Sequence, residues 1–125
     1  MKVACLVVFT ILLASGQALG RPPERHITTH PFVAPPERAA AIRSNHTKVT
    51  VGMTPGEVAA VLGEPDEIRP LYEPIIKNPT LIGYTQSYVI RRLVENGSVN
   101  ERQESIVRVS FDNNDRVTRV SSWGL

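Results

Sequence analysis

The stretch Lys48–Gly63, KVTVGMTPGEVAAVLG, followed by Glu64 and Pro65, constrains the fold more than any other part of the chain. It spells a short helix with both its start and its stop. Thr54 is a good N-cap, Pro55 suits the first helical position, and Glu57 falls three residues after the cap. Together they form a T-x-x-E capping box, in which cap and glutamate each satisfy an amide the helix leaves open. Met53 and Val58 have the spacing of a hydrophobic staple across that cap. Val58, Val61 and Leu62 share one stripe at i, i+3 and i+4, so the helix needs an apolar surface to dock on. Gly63 is suited to the left-handed C-terminal position, and Pro65 prevents continuation.

The surface it docks on is written further along. Leu81–Val94 reads as a long strand rich in tyrosine and β-branched residues. Asn96-Gly97, within Glu95–Ser98, is a strong hairpin signal. Glu104–Asp112 alternates cleanly, with Val107, Val109 and Phe111 on one face and Arg108 and Ser110 on the other. Asn113-Asn114-Asp115 turns the chain, and Arg116–Trp123 returns as a third strand. Val117 and Val120 have opposite parity, which requires a bulge or burial on both faces. Between helix and strands, Asp66–Thr80 is interrupted by Pro70, Pro74 and Pro79 and reads as a loop carrying Leu71, Tyr72, Ile75 and Ile76. The expected fold is α+β: one or two short helices packed on a three-stranded antiparallel meander whose other face is open.

Residues 1–20 read as a secretory signal peptide. Lys2 supplies the positive start, Val3–Ala14 is apolar except for Thr10, and Ala18-Leu19-Gly20 offers small residues for cleavage. The run is marginal for a membrane span, which takes about 20 apolar residues. Cleavage near Arg21 removes Cys5, the one cysteine, so thiol chemistry, disulfides and cysteine metal sites are expected to be absent. Residues 21–43 read as a Pro-rich arm, with five of the ten prolines before residue 37, and Glu37–Arg43 is expected to manage one or two helical turns. Residues 44–125 are then the single folded domain. Without Lys2 the chain carries thirteen basic and twelve acidic residues. No run approaches the five or six like charges of a nucleic-acid tail, which argues against nucleic-acid binding.

The order G-M-T-x-x-x-V-x-x-x-L-G-x-P, carried by Gly52, Met53, Thr54, Val58, Leu62, Gly63 and Pro65, resembles the SmpA/OmlA (BamE-like) family of the bacterial outer-membrane assembly machinery. Val109-Ser110-Phe111-Asp112, followed by Arg116-Val117, is similar to the closing hairpin of that family. The resemblance spans Lys48–Val120 and implies the same helix-then-three-strand order, a protein partner in an envelope complex and a periplasmic, outer-membrane-associated location. The family is typically lipid-anchored, whereas this chain has no cysteine at the end of its apolar run, which sets it apart.

Catalytic constellations are sparse. His26 and His30 are four apart, but Pro31 and the β-branched Ile27-Thr28-Thr29 oppose the helix that would make them a ligand pair, and they read as solvated. His46 with Asp66 supplies fragments of a hydrolase and no marked nucleophile. Asp112 and Asp115 read as turn residues rather than calcium ligands, and no phosphate-binding glycine motif occurs. The expectation is a non-enzymatic protein-binding module with no cofactor and no metal. Leu71, Tyr72, Ile75 and Ile76 either fold back over the open side of the helix–sheet core, as a small domain short of core residues favours, or are the candidate partner contacts. Arg91, Arg92, Arg108 and Arg119 form a possible sheet-face interface. The alternative is an enzyme-inhibitor-type binding protein similar to the β-lactamase inhibitory proteins.

Overall fold

The capping box forms as written. In the computed structural model, which describes residues 22–74, 77–93 and 104–125, the Thr54 amide donates to Glu57 Oε1 at 2.9 Å and the Glu57 amide donates to Thr54 Oγ1 at 3.2 Å. The helix it opens, Pro55–Leu62, ends at Gly63, whose φ of +82° and ψ of −155° stop it. The φ has the expected sign, while the ψ departs from the left-handed helical value. The expected signal peptide at residues 1–20, Ile75, Ile76 and the expected turn at Asn96-Gly97 lie outside the described residues.

In chain order the elements are β1 (Phe32–Val33), α1 (Pro36–Asn45), a 3₁₀ turn (His46–Lys48), α2 (Pro55–Leu62), β2 (Glu67–Tyr72), β3 (Leu81–Arg92), β4 (Ser105–Asp112) and β5 (Val117–Trp123). Strands β3, β4 and β5 make the expected antiparallel meander. The α+β class therefore stands, but the sheet has five strands rather than three. β2 pairs with the first half of β3, from Leu81 to Ser87, and β1 with its end, Arg91 and Arg92, so the two share one edge of β3 end to end. The sequence reading of Asp66–Thr80 as a loop is corrected here. Pro70 lies inside β2, where an edge strand tolerates a residue that cannot donate to a ladder.

Residues 21–43 need a similar correction. α1 runs ten residues from Pro36, and its Ala39 and Ile42 are buried in the same core as Val58 and Leu62. The Ala34 amide donates to Ile90 O at 2.9 Å, and Arg25 and Ile68 exchange two backbone hydrogen bonds. The packed unit thus takes in the Pro-rich segment, well before the expected boundary at Ser44. Few apolar residues mark α1 in the sequence because one alanine and one isoleucine are all it buries.

Both helices lie on one face of the sheet. That core contains Tyr84, Tyr88, Val107, Val109, Phe111 and Val117, with Met53, Val61 and Val120 packed against it. The opposed parity of Val117 and Val120 is resolved by a bulge: Phe111 pairs with Val117, whereas Ser110 pairs with Arg119. Tyr84 and Phe111, directly opposite across β3 and β4, stack with ring centroids 5.0 Å apart. The loop before α2 is pinned to β5, since the Gly52 amide donates to Val117 O at 2.8 Å and the Val117 amide to Met53 O at 2.9 Å. Gly52 does so at a φ of +97°.

These contacts rank three substitutions. Thr54→Ala loses one cap acceptor and should cost about 0.5–2 kcal/mol. Leu62→Ala should cost about 2–5 kcal/mol through the cavity it leaves. Gly83→Ala should be worse than Thr54→Ala, because its Cβ would stand 1.9 Å from the Phe111 carbonyl oxygen, which is fixed backbone. Urea unfolding of the three variants tests the order, and a Gly83→Ala protein as stable as wild type would contradict the strand register.

Candidate functional site

The sheet has one face without helices. Side chains alternate along its strands, so Arg69, Leu71, Thr85, Arg108, Ser110 and Arg119 point away from the core formed by Ile68, Tyr84, Val107 and Val109. Together with Ser121 and Trp123 they line a groove of about 580 Å³. The Arg108 guanidinium lies 5.0 Å from the centre of the Trp123 ring, and Arg108 Nε donates to Ser87 Oγ at 3.4 Å. Trp123 therefore belongs to the open face, whereas Tyr84 and Tyr88 belong to the core.

The candidate contacts divide along this groove. Leu71 lines it as a half-buried residue of β2, and Tyr72, at the strand end, is 50% exposed. Ile82, 37% exposed, follows Leu81, the cross-strand partner of Tyr72. Ile75 and Ile76 lie outside the described residues. The helix-motif residues Gly52, Met53, Thr54, Glu57, Val58, Leu62 and Gly63 serve the loop, cap, stop and core positions described above.

Arg92 does not belong to an exposed arginine face. It is fully buried at the end of β3, where Arg92 Nη1 donates to Glu67 Oε2 at 2.7 Å and Arg92 Nε donates to Glu104 Oε2. Glu67 Oε2 also accepts from Arg69 Nη2 at 3.2 Å and from the Ile27 amide at 3.3 Å. Burial alone would raise the Glu67 carboxyl, but the bonds from Arg92 and Arg69, the Arg92 charge and the Ile27 amide outweigh it and hold the pKa below the ordinary carboxylate value. Burial likewise disfavours the Arg92 cation, and its two glutamates more than restore it. No sequence signal marked this cluster, because its members come from β2, the end of β3, the residue before β4 and the arm.

The remaining polar candidates have structural work. His46 Nδ1 lies 3.0 Å from Arg43 O and 3.2 Å from Ile42 O, at the C-terminus of α1, where the last carbonyls lack helical partners. Asp66 Oδ2 accepts from Arg38 Nη2 and from the Val89 amide, each at 2.8 Å, joining α1 to β3. Asp112 Oδ1 accepts from the amides of Asn114 and Arg116, and Asp115 accepts from the Tyr84 hydroxyl at 2.7 Å, as turn residues do. His26 sits 3.2 Å from Glu24 on the surface. Burial pushes the Tyr88 phenol well above its ordinary pKa, and its hydroxyl donates to Gly63 O at the end of α2. No group of three or more His, Cys, Asp or Glu among the described residues could hold a metal. Among the same residues no helix is long and apolar enough to cross a membrane.

The Glu67 pKa fixes the sign of a pH dependence. With the folded pKa below the unfolded one, the unfolded chain binds more protons across that window. The stabilisation is complete above the ordinary glutamate pKa of about 4.3 and is lost as pH falls below it. Glu67→Gln should cost about 3–5 kcal/mol at pH 7, because it strips Arg92 of a buried partner. It should also flatten the fall in stability below about pH 4.3. Urea midpoints of both proteins across the acid range check the two claims together.

No protein-family model matches the chain, and no curated protein matches it. A solved structure described as the osmotically inducible lipoprotein OsmE is similar to it, at 23% sequence identity over 66% of this chain and 80% of that chain, with a TM-score of 0.42.

Proposed function

We propose that the protein is a non-enzymatic protein-binding module of the bacterial cell envelope. One observation carries the binding part: both helices cover the same face of the sheet, and the other face displays Trp123, Leu71 and three arginines around an open groove. Tryptophan and arginine are enriched where binding energy concentrates. Tyr72 and Ile82 extend exposed apolar surface at one end of β2 and β3. The non-enzymatic part is supported by the structural duties of His46, Asp66, Asp112 and Asp115, which hold helix ends, strands and turns together.

The envelope part rests on the sequence: the apolar, leader-like first twenty residues and the Gly52–Pro65 motif that resembles the BamE-like family. A periplasmic location with association to the outer membrane follows from that resemblance, as does a role in an assembly complex.

Capture from an envelope extract with the purified chain tests the reading. Recovery of a defined envelope protein is expected, and Tyr72→Ala should weaken that capture severalfold while changing the unfolding free energy by no more than a surface change does, within about 0.5 kcal/mol. Failure to recover any envelope protein would count against the module. Inhibition of a hydrolase in a periplasmic panel would favour an inhibitor-type protein instead. If Tyr72→Ala unfolds the chain as Leu62→Ala does, that residue belongs to the core.

A further inference from the structure

The open face also has a definite chemistry. Resting on the protein-binding reading above, we propose that it takes an extended acidic segment of a protein partner, laid across β2 to β5 with its carboxylates on Arg69, Arg108 and Arg119. The strand register supplies the geometry. Arg69 pairs with Thr85, Thr85 with Ser110, and Ser110 with Arg119, so two guanidinium groups bracket two hydroxyls in a single row across four strands. In the next row Glu67, buried and already bound by Arg69 and Arg92, pairs with Ser87, Ser87 with Arg108, and Arg108 with Ser121.

Three strand intervals of about 4.8 Å place the backbones of Arg69 and Arg119 about 14 Å apart. An extended chain rises about 3.4 Å per residue and presents alternate side chains on one face, so its residues i and i+4 match that distance. Residue i+2 then falls over the hydroxyls, with Arg108 about 7 Å to the side, within reach of a flexible arginine. A chain with carboxylates at alternate positions fits this spacing better than a single compact anion does.

The charges favour the same occupant. Arg69 already shares Glu67 with Arg92, but Arg108 and Arg119 have no carboxylate partner among the described residues. None of the described groove-lining residues is acidic. Arg108 is held in place against Trp123 before any partner arrives, which lowers the entropy lost on binding. Planar guanidinium groups bind carboxylates through two parallel hydrogen bonds, and flanking hydroxyls can donate to the same oxygens. An apolar helix would leave these donors unpaired.

The probe is a seven-residue peptide of threonine and glutamate in alternation, compared with its glutamine counterpart. Trp123 is the one tryptophan in the chain, so its emission reports on this face directly. The glutamate peptide is expected to bind and shift that emission, more weakly as salt rises. Arg108→Gln and Arg119→Gln should each weaken binding about tenfold, the loss of one charge-assisted hydrogen bond. Arg119→Gln, at an exposed position, should do so with the melting temperature unchanged. Equal binding of both peptides, no binding at millimolar peptide, or an unaffected Arg119→Gln would overturn the proposal. So would binding to phosphatidylglycerol vesicles with none to the peptide, which would make the face a lipid-headgroup site. The two readings separate in the envelope capture. Capture unchanged by both arginine substitutions would leave the module standing and sink the acidic-segment site, whereas peptide binding without any capture would do the reverse.

Discussion

The buried Arg92 guanidinium is the constraint around which the sheet is arranged. A cation at 0% exposure is tolerable only with partners of opposite charge in place, because the desolvation of each ion costs several kcal/mol. Glu67 at the start of β2 and Glu104 just before β4 provide those partners, and the Ile27 amide of the arm donates to the same Glu67 oxygen that accepts from Arg92. Strand β2, shortened in ladder capacity by Pro70, is thereby fixed against β3 by more than its backbone bonds. The same requirement draws the Pro-rich segment into the fold. Arg92 Nη2 has no hydrogen-bond partner among the described residues, so the cluster engages two of the three nitrogens of its cation there.

Around that cluster the molecule is asymmetric. Apolar burial is concentrated where α1 and α2 meet the sheet, and Tyr88 illustrates how tightly the two layers are joined. Its ring lies 6.0 Å from the Arg38 guanidinium and its hydroxyl reaches the last turn of α2 at Gly63. Asp66 links the same Arg38 to the backbone of β3. With the helices committed to one face, the opposite face is free to carry arginine, serine and threonine side chains that no core would accept unpaired.

The helix α2, the meander, the bulge between Val117 and Val120 and the Asp-Asn turn were all legible because each depends on neighbours a few residues away. Capping residues act within one turn, and alternation acts within one strand. β2 was not legible, since Pro70 and Pro74 dominate any local reading and only pairing with β3 overrides them. α1 outruns the one or two turns the sequence suggests, since its stripe is narrow although Ile42 is almost fully buried. Arg92, taken for a surface residue by its type, is buried because carboxylates from β2 and the start of β4 converge on it.

The candidate site divides in the same way. Leu71 and Tyr72 were visible as unusual apolar residues in a proline-rich stretch, but their relation to Arg108, Arg119 and Trp123 depends on which strand lies beside which. The sequence by itself determined the local devices: the Thr54–Glu57 box, the Gly63 stop, the inward valines of β4 and the hairpin at Asp112–Asp115. Only the tertiary structure decided that Arg92 is inside, that β2 exists, and that Arg69, Thr85, Ser110 and Arg119 stand in one row. Short-range hydrogen bonding and side-chain period are properties of consecutive residues. Burial of a charge and alignment of a row are properties of register between strands far apart in the chain, and no local pattern encodes them.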